Sequence, residues 1–361
     1  MDNTSLQTFY TKVKQLSLQN FTVFEKIHLS FCPGINLFIG ANSSGKSNIL
    51  KLIYTLLNIV PNRADENYIK TKLHAVFRPD KITDLIRHNN NQPFVINLGC
   101  ENMNIELIQK PDADLVMKNS LDDMLDDIIK EPIISVIYLP PQEFLAINEG
   151  FIMAGTQRLP FSDTYYDLSI ALQRLPLPRD KSFDLKEAIT LLEEIITEEK
   201  SPQNEVITHE NGHFYFNLPE GKLNVHQVAD GYRKIGTLLY LLRNGSLTQN
   251  SILFWDEPEA NLNPKLIVKV VKILQILAQL GLQIFVTTHD YLLSYELSLL
   301  AEYSSKNPLE IKFFALHKPT RLAGIEVETG NTLAEIENNL ILEEFAAHHD
   351  REVMFFKGDL A

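Results

Sequence analysis

The sequence predicts an α/β protein organised around a mostly parallel central sheet. Three observations predict it. Apolar runs alternate with amphipathic helical stretches through the last third of the chain, the pattern of a sheet covered on both faces. One earlier apolar run, residues 35–39, leads into a glycine-containing loop and then an amphipathic helix. Two later apolar runs, residues 252–255 and 282–286, end in polar clusters. In open α/β sheets ligands bind beyond the carboxyl ends of the strands.

The first forty residues read as strands at 11–17, 21–29 and 35–39, broken at Gln19-Asn20 and Pro33-Gly34. A helix is expected over 45–58, because Ile49, Leu50, Ile53, Leu56 and Leu57 recur at helical spacing before Pro61 and Asn62. Residues 94–98 and 105–109 read as strands, and 133–139 as a strand buried on both faces and stopped by Pro140-Pro141. Residues 163–175 and 183–198 read as helices, the second with Leu185, Ala188, Ile189, Leu192, Ile195 and Ile196 on one face. A hairpin is expected at 206–208 and 213–217, around Asn211-Gly212. The last third gives strand 252–255, helix 265–280 closed by Gly281, strand 282–286, helix 291–303, strands 311–316 and 324–328, and a terminal helix at 334–348.

Composition narrows the function classes. The chain has 361 residues, 45% of them apolar, and a net charge of −13. That balance does not suggest non-specific nucleic-acid binding. The acidic clusters at 122–131 and 193–199 read as a solvated loop and an exposed helix face. The two cysteines, Cys32 and Cys100, form no CxxC pair, which disfavours a disulfide framework or a structural zinc site and fits a reducing cytoplasm. No signal-like start and no run of eighteen apolar residues is present, so a cytoplasmic protein without a membrane span is expected.

Gly40-Ala41-Asn42-Ser43-Ser44-Gly45-Lys46-Ser47 fits GxxxxGK[ST] at every fixed position, with Asn48 next in the helix. Glycines let the backbone curl so that successive N–H groups point at phosphate oxygens, and the helix N-terminus adds positive potential. Lys46 is expected to reach the β- and γ-phosphates, and Ser47 to ligate Mg²⁺. The strand at 252–255 delivers Asp256 and Glu257 to the same rim. Asp256 suits the Mg²⁺ shell, and Glu257 suits deprotonating an attacking water. The strand at 282–286 leads through Thr287-Thr288 to His289, placed to hydrogen-bond a γ-phosphate oxygen.

With these motifs in this order, the chain resembles the ABC-type ATPases of the SMC, RecF and OLD group, and bacterial AAA-family ATP-binding proteins of that kind. The opening Leu16-Ser17-Leu18-Gln19-Asn20-Phe21, the segment Asp256-Glu257-Pro258-Glu259-Ala260-Asn261-Leu262-Asn263-Pro264 and Thr288-His289-Asp290 carry the resemblance. It covers roughly residues 11–60 and 225–292. It implies an ABC-ATPase-type P-loop fold over 1–361, with an N-terminal β-rich subdomain and a small helical and hairpin insertion at about 145–225. It implies ATP and Mg²⁺ as cofactors and a homo-oligomer, an ATP-dependent dimer or higher assembly.

The family's signature loop corresponds to Val228-Ala229-Asp230-Gly231-Tyr232-Arg233-Lys234, with Asp230 and Gly231 as candidate nucleotide contacts. Ala229 stands where the family has serine. The Gly231 N–H, Arg233 or Lys234 are the candidate substitutes, and an ordinary helix start with an exposed basic pair is the alternative. Gln142 is the candidate for the family's Q-loop glutamine, with Glu143 competing for a role there. The adenine contacts are left open, with Asn20 and Phe21 on strands that could border the base. Asp350 and Glu352 read as a charged tail rather than the acidic cluster of an OLD-type nuclease. The resemblance further implies a stand-alone ATPase controlling a separately encoded effector, a nuclease or toxin, in bacterial anti-phage defence. A RecF-like DNA-repair ATPase and a non-hydrolysing ATP sensor or scaffold are the alternatives.

Overall fold

A computed structural model of the chain describes residues 12–59, 66–88, 91–101, 103–119, 135–153, 161–178, 185–199, 205–249, 251–303, 309–320 and 323–357. The chain opens with an antiparallel hairpin, β1 (Val13–Phe21) and β2 (Phe24–Ser30), followed by β3 (Ile35–Gly40) and α1 (Lys46–Ile59). After α2 (Glu66–Phe77) come β4 (Phe94–Cys100), β5 (Asn104–Gln109) and β6 (Val116–Asn119). These strands join the hairpin in an antiparallel sheet ordered β2-β1-β4-β5-β6.

The next strand is β7 (Val136–Leu139). The helices α3 (Leu145–Met153), α4 (Asp163–Leu172) and α5 (Lys186–Thr197) follow, then a three-stranded sheet of β8 (Ile207–Glu210), β9 (His213–Leu218) and β10 (Gly221–Asn224). The remaining elements are α6 (Asp230–Arg243), β11 (Ile252–Asp256), α7 (Pro264–Gln279), β12 (Gln283–Thr288), α8 (Tyr291–Tyr303), β13 (Ile311–His317), β14 (Glu326–Gly330) and α9 (Leu340–Lys357).

The central sheet runs β14-β13-β3-β12-β11-β7. Its ladders are parallel from β7 through β13, and only β14 pairs antiparallel. Both faces are covered, and period-2 alternation divides the side chains between two cores. Phe38, Tyr138, Phe254, Phe285 and Phe314 pack toward α1 and the antiparallel sheet. Leu37, Leu253, Trp255, Ile284 and Val286 pack toward α5, α6, α7 and α8. All six residues of β3 and all six of β12 are buried, as expected for parallel strands covered on both sides.

The expected elements are found, with shifts at their ends, except that β1 continues through the expected break at Gln19-Asn20 and the chain turns at Thr22-Val23 instead. Asn211 (φ 52°) and Gly212 (φ 84°) form the hairpin turn, and Gly281 (φ 98°) ends α7 in the left-handed region. The terminal helix starts later than expected. A 3-10 turn occupies Leu333–Glu335, and Asn339 caps α9 by accepting from the backbone N–H groups of Ile341 and Leu342. Asp350 and Glu352 therefore lie on a helix, not in a tail. Glu193 is buried, so its side of α5 is not the solvated face expected. The acidic stretch 122–131 lies outside the described residues, as do parts of the expected strand 133–139, helix 183–198 and insertion 145–225.

Candidate functional site

The loop after β3 is shaped by two glycines that no other residue can replace. Gly40 has φ 148°, and a Cβ there would stand 2.5 Å from the Leu316 carbonyl oxygen. Gly45 has φ 95°, and its Cβ would stand 2.6 Å from the Phe24 ring. Ser43 adds a third left-handed residue at φ 63°. The loop therefore curls under the β1–β2 turn and opens into α1, whose first residue is Lys46. Ala41, Asn42 and Ser43 are exposed along the curl, while Ser44 is buried with an unpartnered Oγ. Lys46 Nζ donates to the carbonyls of Gly40 (2.7 Å) and Ala41 (2.9 Å). Burial pushes its ammonium below the ordinary lysine value, against the pull of Glu257, Asp256 and Glu259. Asn48 reaches back to Thr22 Oγ1 at 3.4 Å.

The sheet brings β11 beside this loop. Asp256 is only 2% exposed and accepts three hydroxyl donors. Ser47 Oγ donates to Oδ1 at 2.9 Å, and Thr287 Oγ1 donates to the same oxygen. Tyr138 OH donates to Oδ2 at 2.8 Å. Residue 256 thus receives one donor from α1 and one from each flanking strand.

Glu257 turns out of the sheet with φ 48°, a left-handed conformation that costs a non-glycine residue on the order of 1 kcal/mol. Its N–H is held by Thr287, at 3.2 Å to the carbonyl and 3.1 Å to Oγ1. His289 Nδ1 lies 3.3 Å from Glu257 Oε1 and 3.8 Å from Glu259 Oε1. Glu259 is buried; its Oε1 accepts from Thr288 Oγ1 at 2.6 Å and from the His289 N–H at 3.2 Å. Burial pushes the Glu259 carboxyl above the usual carboxylate range.

The structure thus brings Lys46, Ser47, Asp256, Glu257 and His289 to one rim of the sheet. The signature segment meets the acidic turn as well. Ala229 occupies the N-cap of α6 with no side-chain cap bond. Asp230 pairs with Arg233 and accepts from Asn261 Nδ2 at 3.5 Å. Gly231 lets α6 approach closely, since a Cβ would stand 2.9 Å from Leu262 Cδ2.

The basic pair is not exposed. Arg233 Nε stands 3.0 Å from Glu143 Oε2, and Lys234 is buried under the turn after β11. Lys234 donates to the carbonyls of Glu257 (3.0 Å), Pro258 (3.4 Å) and Ala260 (3.1 Å). Its donors are turned inward, which argues against the expected contact with a partner's nucleotide.

Gln142 is exposed after β7, while neighbouring Glu143 is buried, its carboxyl pushed up by burial against the opposing effect of Arg233. Asn20 and Phe21 are buried, with the Phe21 ring edge-on to Phe77 and Phe94, so neither is free to border a base. Sequence reasoning missed Tyr138, Thr287, Thr288 and Glu259 as supports. Thr287 and Thr288 immediately precede His289, and Glu259 follows Glu257 by two, so proximity to the motifs was the available signal. Nothing local marks Tyr138.

ATP and magnesium are implied by the motifs, and the residues fit them. The loop is a backbone cradle at a helix N-terminus, where a Cβ at either glycine would collide. Ser47 and Asp256 offer adjacent hard oxygen donors of the kind magnesium takes.

Two family models match in tandem. Residues 12–149 match one described as "AAA ATPase domain". Residues 145–294 match one described as "AAA domain, putative AbiEii toxin, Type IV TA system". The DNA replication and repair protein RecF of Thermoanaerobacter sp. (strain X514) is 28% identical over 147 residues, which is 38% of this chain and 35% of that protein. RecF of Lactococcus lactis subsp. cremoris (strain MG1363) is 47% identical over 45 residues, 12% of each chain. These matches therefore span about a third or less of the relatives' length. An Smc head domain derived from Pyrococcus furiosus, solved with a C-terminal domain of ScpA, aligns with a TM-score of 0.50 at 14% identity, covering 93% of this chain and all of that one. An Smc head bound to the C-winged helix domain of ScpA gives 0.51 at 14% identity, over 88% and 97%. These structures establish the fold, and no described helix is long and apolar enough to cross a membrane. With the loop, the acidic turn and the histidine on one rim, the chain is similar to the ABC-type ATPases of the SMC/RecF group, and AAA ATPase family models match it in tandem over residues 12–149 and 145–294.

Proposed function

We propose that this protein binds ATP with magnesium, hydrolyses it, and pairs with a second copy around the nucleotide to control a partner. The single observation that carries this reading is the joining of three motifs at the Ser47–Asp256 contact, with Glu257 and His289 at 3.3 Å beside it. Bound magnesium would neutralise charge on the β- and γ-phosphate oxygens, held by Ser47 and Asp256. Lys46 would exchange its carbonyl partners for phosphate oxygens. Glu257 would accept a proton from the attacking water, and His289 would hold the γ-phosphate side. Gln142, Asp230 and Gly231 remain candidates for the nucleotide's outer contacts, and a single ATPase domain with an insertion near 145–225 remains the reading of the organisation.

The partner reading draws on the toxin-system description of the matched family model. An effector nuclease or toxin, with a role in bacterial anti-phage defence, is the form it takes. Phosphate release tests the enzymatic part. Wild type should hydrolyse ATP, and Glu257→Gln should lose on the order of 100-fold or more. With ATP and Mg²⁺, Glu257→Gln should also shift to a larger mass in solution. A wild type that neither hydrolyses nor assembles would leave a sensor or scaffold, consistent with Ala229 in the signature loop.

The RecF similarity favours a second reading, an ATPase acting on DNA. A net charge of −13 weighs against broad phosphate contacts. Duplex binding that strengthens with ATP and falls steeply with salt would establish it.

A further inference from the structure

The first turns of α6 do more than lie near the acidic turn. Lys234 is 6% exposed, and its ammonium donates to three carbonyls of one short segment: Glu257, Pro258 and Ala260. Three N–H donors meet three acceptors, which is the full capacity of the group. The gripped segment is strained at both ends, with Glu257 at φ 48° and Asn261 at φ 64°. Such backbone persists only when its surroundings over-determine it. Burial disfavours the ammonium, and among the described residues the carboxylates of Glu259, Glu257, Asp256 and Glu143 offset only part of that cost. A methionine would fill similar volume, so packing alone does not explain a lysine here.

We propose that Lys234 is a positioning residue for Glu257: it fixes the backbone turn from which the Glu257 side chain projects, and so couples the placement of α6 to the catalytic carboxylate. This rests on the ATPase reading of the site. The coupling has further anchors at the same end of the helix. Arg233 ties it to Glu143 after β7, Asp230 ties it to Asn261, and Gly231 packs on Leu262. A displacement of α6 therefore reaches Glu257 through the three carbonyls, without any contact between Lys234 and the nucleotide.

The test uses the full chain and Lys234→Met. Hydrogen exchange over 257–262 is read first, because it needs no hydrolysis. Exchange there should quicken at least about tenfold while β11 stays protected. Affinity for a fluorescent ATP analogue should stay within about threefold, and single-turnover phosphate release should slow at least about tenfold. Lys234→Met should add little to the loss caused by Glu257→Gln, since both act through one group. If Lys234→Met does not fold, Lys234→Gln, which keeps two N–H donors, takes its place with the same readouts.

Unchanged exchange over 257–262 overturns the proposal whatever the turnover. So does faster exchange with phosphate release within about threefold of wild type, or a loss of affinity equal to the loss of turnover. A wild type that releases no phosphate sinks the ATPase reading and with it the catalytic meaning of the clamp, while exchange still decides whether Lys234 holds the turn.

Discussion

Tyr138→Phe isolates one support of the acidic site. The ring stays, and only the hydroxyl that donates to Asp256 Oδ2 at 2.8 Å is lost. Ser47 and Thr287 both donate to the other oxygen, so Oδ2 keeps no donor among the described contacts. The carboxylate is 2% exposed, so solvent does not readily take the place of the phenol. A hydrogen bond to a charged group contributes about 1.5–3 kcal/mol. The unfolding entropy of a chain of 361 residues, at about 2.1 cal/mol/K per residue, is ~0.76 kcal/mol/K. If the chain unfolds as one unit, the thermal midpoint should fall by about 2–4 °C.

Scanning calorimetry of the nucleotide-free protein measures this shift. Tyr54→Phe is the control. Its hydroxyl donates to Asp167 Oδ2 at 2.6 Å, but Lys72 holds the same oxygen at 2.6 Å and the Asp167 side chain is 32% exposed. That variant should shift by less than about 1.5 °C. Equal shifts for the two variants, or no shift for Tyr138→Phe, would refute the claim that the phenol stabilises a buried carboxylate.

Three further outcomes are expected. Gly45→Ala should abolish binding of a fluorescent ATP analogue and lower the thermal midpoint, because its Cβ would stand 2.6 Å from Phe24 and φ is 95°; retained binding would contradict the cradle. Lys46→Ala should lower affinity for the triphosphate more than for the diphosphate, by competition titration, since the ammonium is assigned to the β- and γ-phosphates. Burial pushes Lys234 down to about 8 from an ordinary 10.5. Between those values the unfolded chain holds a proton that the folded chain has released, so this group's contribution to stability rises with pH from about 8 to 10.5. The stability of wild type relative to Lys234→Met, from urea titrations at pH 8 and pH 10, should therefore rise by on the order of 1 kcal/mol per pH unit; a flat difference would remove the buried, shifted ammonium.

The sequence made the parallel sheet legible because its strands are near-continuous apolar runs with polar ends, and helices follow at 3.6-residue spacing. It made the loop legible because phosphate cradling restricts residue types at fixed positions. Boundaries were harder. Asn339 is a good N-cap residue, but apolar Leu333 and Ile336 upstream extended the apparent period and hid the break before α9. α2 was missed although Ile69, Leu73 and Val76 recur at helical spacing; most of its other residues are polar, which leaves the apolar stripe narrow. β10 spans four residues, too few for a period-2 signal.

The unread half of the site has one physical origin. Tyr138 and Asp256 are 118 residues apart, and Thr287 and Asp256 are 31 apart. Their contacts depend on which strands become neighbours, and that is decided by global packing. Strand register then does the rest. Tyr138 pairs with Phe254 and Thr287 with Asp256, so alternation puts all of them on the face turned toward α1 and Ser47. Trp255, one residue away, points into the opposite core. A one-residue slip of β11 would exchange these faces. It would bury an unpaired carboxylate against α7 and leave Ser47 facing tryptophan. The site and the two cores therefore enforce the same register, and that is why a buried aspartate is compatible with a stable strand here.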